Sequence, residues 1–410
     1  MVTKQNSKMI LVVVMLVLAL ASFACAKSVT TKEAGEPSDP GMQGKERGTL
    51  KTGNVLAQNK ISKERRHVQL SDKKTGGITR FEKVPADEER LIKNMEVLLQ
   101  EKMSRDYPTG LTRRDAHPKS LACLQAEFIV EPNIPAELKK GMFAFPKTYP
   151  AWIRISSASG NIQSDKAKDL RGFAIKIIGV KGQRSQTRNN EQETQDFVLL
   201  SYPSMPLGTV KRFHDAVYYS IKYSPLVFLA RLVVSGDFHI INELRKARQN
   251  QTSPLDIRYW STTPYLYGTE HIVKYSLVPT SRIKSFLPSK LSDHYLTENM
   301  EKHLAVHEAS FDFMIQVQKD PGRMPVEDAG VAWSEKESPF IKVATLRIRP
   351  QAFRTKEREE LAEDLSFSPA HSLIDHRPIG GINRARIEIY RFLSEFRHKQ
   401  NNKQLIEPHK

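Results

Sequence analysis

Tyr390 stands between two arginines at spacings that matter if the stretch is helical. At about 100° per residue, Arg386, Tyr390, Leu393 and Arg397 fall on one narrow stripe. A phenol flanked by guanidiniums is suited to serve as a hard anionic oxygen ligand for iron. The same pattern also suits a plainer role, in which Tyr390 anchors an amphipathic helix and the arginines face water.

Other residues could do chemistry at a distance along the chain. Arg114-Asp115-Ala116-His117-Pro118 leads into a strand-like run, and a histidine there could project into a cavity, where a neutral imidazole accepts a proton. In Arg154-Ile155-Ser156-Ser157, alternation puts Arg154 and Ser156 on one face, free to meet a carboxylate and an imidazole. His303 and His307 have the i, i+4 spacing of two metal ligands on a helix, but the glutamate of the metalloprotease motif is not between them. The chain has no phosphate-cradling glycine loop, no Gly-x-Ser-x-Gly elbow and no Cys-x-x-Cys pair.

These residues need a frame. Leu91, Met95, Leu98 and Leu99 recur at helical spacing after an acidic start at Asp87, which predicts a first helix. Short runs at 121–130, 151–157, 172–180 and 196–202, each ended by Gly, Pro or polar residues, predict antiparallel strands of a sheet or barrel. Residues 209–244 mix aromatic and aliphatic side chains at helical spacing. Further strands are expected at 272–277, 310–318 and 340–348, then helix from 356 on, with an irregular 375–381 before the Tyr390 helix. The fold class is α+β: an antiparallel barrel core with flanking helices, as a single domain of residues 85–400 followed by a tail, 401–410.

At 410 residues and 39% hydrophobic composition, the chain can bury one large core. Residues 1–26 have the build of an export signal: Lys4 and Lys8, an apolar run over 9–20, then Ala24-Cys25-Ala26. A periplasmic, exported protein is expected, with a lipid anchor on Cys25 or an uncleaved anchor as the other outcomes. The polar stretch 27–84 predicts a flexible tether. With two cysteines, one of them Cys25, no internal disulfide framework is available. The net charge of +17 is scattered without a recognition motif, so it argues for acidic ligands or anionic surfaces rather than nucleic acid.

Taken in order, the motifs resemble the catalase superfamily, and within it the small bacterial catalase-like haem-binding proteins. The resemblance runs from His117-Pro118-Lys119-Ser120 through Tyr149-Pro150-Ala151-Trp152-Ile153-Arg154, Arg171-Gly172-Phe173 and Gln195-Asp196-Phe197. It continues in Tyr259-Trp260-Ser261, Pro264-Tyr265, Phe367-Ser368-Pro369 and His376-Arg377-Pro378-Ile379-Gly380-Gly381-Ile382-Asn383-Arg384, ending in the Tyr390 helix. It implies a b-type haem with Tyr390 as the axial iron ligand and Arg386 beside it. Arg114, Arg154 and Arg397 would hold the propionates, His117 would be the distal acid and base, and Ser156 its partner.

One departure limits the activity implied. Where catalases carry a distal asparagine, counting back from Pro203 gives Leu200, with Ser201 beside it. Leucine donates no hydrogen bond to a peroxide, and one missing donor in a comparable site costs on the order of 10² to 10³ in rate. The expected activity is a slow catalase or a peroxidase using hydrogen peroxide or an organic hydroperoxide and an unknown electron donor. A fatty-acid hydroperoxide isomerase or lyase, or a haem-binding protein without fast chemistry, are the other readings.

Overall fold

Four successive antiparallel strands build one wall of the molecule: β1 (Ser120–Val130), β2 (Thr148–Ser157), β3 (Arg171–Ile178) and β4 (Thr194–Leu200). The chain is described by a computed structural model over residues 79–186, 193–404 and 408. The expected export signal and its cleavage site, the tether as far as residue 78, and part of the tail lie outside the described residues.

After β4 come three helices, α2 (Val210–Lys222), α3 (Pro225–Val234) and α4 (Phe238–Ala247), where helical periodicity was expected. The second wall follows: β5 (Tyr259–Trp260), β6 (Tyr265–Tyr267), β7 (His271–Pro279), β8 (Ala309–Val317) and β9 (Ile341–Ile348). The order is β5-β4-β3-β2-β1-β9-β8-β7-β6, and a β5–β7 pairing closes eight of the strands into an antiparallel barrel with β6 outside the closure. Closure satisfies strand edges that an open sheet would leave bare. The short β5 and β6 were not expected from the sequence; two or three residues carry too little alternation to register.

Inside, the barrel is a solid aromatic core. Phe128, Phe173, Phe197 and Phe313 are at most 1% exposed. Ring centres of Phe197 and Phe313 lie 4.7 Å apart and those of Phe128 and Phe313 5.1 Å apart, which leaves no room for a ligand within. Alternation therefore turns Arg154, Ser156, Ala174, Val198 and Leu200 to the outer face, in register across β2, β3 and β4. Helix α6 (Lys356–Asp364) packs on β1, while α1 (Glu88–Asp106) packs on α2 and on α7 (Gly381–Gln400); α5 is Tyr295–Leu304.

Two details depart from expectation. Residues 79–84, taken as the end of the tether, are anchored: Phe81 packs beside Met324 and Trp333, and Glu82 pairs with Arg384 at 2.6 Å. An alternating charge pattern there looks solvated until its partners, three hundred residues on, are known. Helix α5 stops at Leu304 and His307 lies just beyond it, its N–H donating to the His303 carbonyl at 2.9 Å and its ring centre 5.8 Å from that of His303, whose Nε2 meets the Glu308 carbonyl at 3.1 Å. Among the described residues, no group of three or more His, Cys, Asp or Glu is placed to hold a metal ion.

Candidate functional site

His117 sits in the loop before β1 with φ +60°, a left-handed conformation that costs a non-glycine residue strain. The loop is tied on both sides. The Arg154 guanidinium donates to the His117 carbonyl at 2.9 Å, and Lys102 of α1 pairs with Asp115 at 2.9 Å. The ring is thereby held over the outer face of β2 and β3, with Nδ1 2.9 Å from Ser156 Oγ. Gly172, paired with Ser156 across the strands, makes room for it: a β-carbon there would lie 2.6 Å from the ring. Burial, and then the nearby guanidiniums of Arg154, Arg386 and Arg114, push the His117 pKa down to about 3, so the imidazole is neutral at pH 7.

The same transverse row runs from Ser156 through Gly172 to Leu200 and on to Trp260. Leu200 thus presents its side chain on the His117 side of the sheet. Ser201, its neighbour, turns away and accepts from the Arg171 N–H at 2.8 Å.

Across from this wall, α7 carries the tyrosine. Ala385 and Ile389 pack with Leu91, Met95 and Leu99 of α1, which fixes the rotation of α7 and turns Arg386 and Tyr390 to another side. The helix begins at Gly380, φ +86°, where a β-carbon would lie 2.4 Å from the Val326 carbonyl oxygen, so no other residue fits. Arg384 clamps that start to Glu82, Glu88 and Glu327 at 2.6 to 2.8 Å. Asn383, fully buried, donates to the Pro264 carbonyl at 2.8 Å.

Arg386 lies with its guanidinium carbon 5.4 Å from the Tyr390 ring centre and donates to Thr263 Oγ1 at 3.2 Å and Asn383 Oδ1 at 3.3 Å. Burial opposes its charge, yet the phenols of Tyr390 and Tyr265 outweigh burial and raise its pKa. The Tyr265 hydroxyl is buried beside this pair, and burial raises its pKa. Since Arg386 also weighs on His117, the α7 pair and the distal pair share one electrostatic environment.

Arg114, Arg154 and Arg397 converge beside this space on the last turn of α6. Arg114 donates to the carbonyls of Ala362 (3.0 Å) and Leu365 (2.5 Å), and Arg397 donates to that of Glu363. Cations at the carbonyl end of a helix are favourable. The Glu363 carboxylate lies 3.2 Å from Arg114 and 3.5 Å from Arg154. Burial, and after it repulsion from Arg114, lowers Arg154 to about 10 and Arg397 to about 9.

Of the seven residues singled out from the sequence, Arg154 and Ser156 lie on the outer face of β2, Arg114 and His117 in the loop before β1, and Arg386, Tyr390 and Arg397 on α7. Sequence reasoning missed Glu363, Gly172 and Thr263. Glu363 sits in an acidic run that reads as a solvated helix, and nothing local marks it. Gly172 carried a usable signal, since a glycine inside a strand often marks close approach of another group.

No protein-family model matches the chain, and no curated protein does. Solved structures do. A fungal catalase aligns over 93% of this chain and 70% of its own, with TM-score 0.58 at 15% identity. Catalase A from Saccharomyces cerevisiae aligns over 93% and 75%, with TM-score 0.55 at 13% identity. A bacterial catalase aligns over 90% and 71%, with TM-score 0.53 at 15% identity. The chain has a catalase-like fold.

Proposed function

We propose that this chain, folded like a catalase, binds a b-type haem between its distal wall and α7 and consumes peroxides there. The observation that carries the reading is the joint arrangement: His117 bonded to Ser156, Arg386 beside Tyr390 and close enough for its charge to act on His117, with a cluster of arginines alongside. The residues suit the group. Three guanidiniums meet one carboxylate, and Arg154 Nε is buried without a partner, so the cluster is short of negative charge by about what two propionates bring. Tyr390 would hold the iron, and Arg114, Arg154 and Arg397 the propionates.

When bound, haem supplies the iron at which a peroxide O–O bond is broken. The chain's residues handle the protons. With Nδ1–H donating to Ser156 Oγ, His117 keeps a lone pair at Nε2, which takes the proton of the attacking peroxide oxygen and returns it to the leaving oxygen. Arg386 holds a positive charge beside the Tyr390 oxygen. Leu200 offers a bound peroxide no donor, so hydrogen peroxide is oriented poorly as a second substrate and slow catalase or peroxidase activity follows.

Leu200 favours a second reading too. With Ala174 and Val198 in the neighbouring row, it makes the distal wall apolar, as an isomerase or lyase acting on fatty-acid hydroperoxides would use. Turnover of hydrogen peroxide against a fatty-acid hydroperoxide separates the two.

The central test is a visible spectrum. Purified protein reconstituted with haem is expected to give a ferric tyrosinate-type spectrum that changes in Tyr390→Phe. No haem uptake, or an unchanged spectrum in the variant, would overturn the reading. The basic and apolar residues 4–20 further support a site of action outside the cytoplasmic membrane, which amino-terminal sequencing of secreted material starting at Lys27 would test.

A further inference from the structure

We infer that Glu363 is a built-in counter-ion that keeps the arginine cluster folded before the cofactor arrives and then competes with the propionates for it. The inference rests on the haem reading and adds a residue that the catalase resemblance did not supply. Three observations carry it. The Glu363 carboxylate reaches both Arg114 (3.2 Å) and Arg154 (3.5 Å), while its backbone carbonyl takes a hydrogen bond from Arg397, so one residue touches all three arginines. Neighbouring carboxylates are committed elsewhere: Asp364 pairs with Lys403 at 2.9 Å and Asp115 with Lys102 at 2.9 Å. And although burial works against its charge, the pull of Arg114, Arg154 and Arg397 lowers the Glu363 pKa, so it is anionic at neutral pH.

The physical consequence has two opposite signs. Buried guanidiniums with no counter-ion are costly, so the carboxylate stabilises the haem-free protein. A propionate approaching the same arginines meets a like charge a few ångströms away, at low effective dielectric, and binds more weakly than it would without it. Glu363 therefore exchanges affinity for a folded apo form. A carboxylate with a purely structural role would do only the first.

Haem titration of the full chain, followed by absorbance, tests this with wild type, Glu363→Gln and Glu363→Asp, each also melted without haem. Glu363→Gln is expected to melt lower without haem yet bind haem about tenfold more tightly, as one fewer like charge at this range implies. Glu363→Asp, its carboxylate drawn back by one methylene, should lie between, and it decides the question if Glu363→Gln does not fold. With haem dimethyl ester, which lacks the propionate charges, the variants should match wild type. Haem binding that is equal or weaker in the folded variants, or a gain that persists with the ester, would overturn the inference. Wild type that takes up no haem would instead sink the haem reading itself.

Discussion

The imidazole of His117 rests on Gly172: a β-carbon at that glycine would lie 2.6 Å from Cε1 and 2.7 Å from Nδ1 of the ring, and 2.9 Å from Ser156 Oγ. The strand neighbour is thus as much a part of the distal arrangement as the histidine. Gly172→Ala should leave the barrel folded, with a loss of about 1–3 kcal/mol from overpacking, while displacing the ring from Ser156. Peroxide turnover should drop at least as far as in Ser156→Ala; turnover equal to wild type would show that the close fit does not matter.

His117 itself should behave as a base that is never protonated in ordinary buffers. Its pKa is pushed down to about 3, so the neutral form predominates above that pH. The rate of reaction with peroxide should stay flat from about pH 8 to pH 5, where an unperturbed imidazole would show a titration near 6.5. His117→Asn, a residue that tolerates positive φ, should keep the fold and lose roughly 10² to 10⁴ in rate.

Leu200 is the place to alter substrate choice. Leu200→Asn adds a donor on the row that carries Ser156 and Gly172. Hydrogen peroxide turnover should rise by about tenfold or more, and turnover of a fatty-acid hydroperoxide should not. Steady-state rates on both substrates check this, and a parallel rise in both would argue against a role in orienting peroxide.

His376 predicts how stability depends on pH. Its ring is fully buried, accepts the Met142 N–H at 3.1 Å, and burial lowers its pKa to about 3. A histidine held neutral in the fold contributes stability that is present above its unfolded pKa of about 6.5 and is lost as pH falls toward 3, on the order of 5 kcal/mol at the limit. His376→Gln, whose amide oxygen can take over the acceptor role, should lower stability at pH 7 but flatten the decline between pH 6.5 and 4. Denaturant unfolding at several pH values gives the comparison.

Arg384 holds α7 in place. It is the shared partner of Glu82, Glu88 and Glu327, with the first two side chains at most 4% exposed. Arg384→Met should cost about 3–5 kcal/mol, because it strands buried carboxylates, and should broaden the haem spectrum by loosening the Tyr390 helix. An unchanged melting midpoint would mean the clamp is redundant.

Much of the fold could be read along the chain because periodicity is local. The long strands and the helices sit within a few residues of their expected positions, since alternation and 3.6-residue recurrence report which face is buried. The Arg386, Tyr390, Arg397 stripe is likewise a property of one helix. What a sequence cannot carry is which outer faces meet. Glu363 looks like one acid among many until α6 is laid on β1, and Gly172 looks like a strand glycine until His117 closes over it.

The sequence alone determined the kinds of residue available and their order: a tyrosine between arginines, a histidine before the first strand, a leucine where a donor is expected. The tertiary structure decided which of them share an electrostatic environment. It turned Arg154 and Ser156 to the outside of a barrel whose inside is filled with aromatic rings, brought three distant arginines onto the end of one helix, and set a glutamate among them. Like charges gathered under cover demand a counter-ion, and only the folded chain shows which residue supplies it.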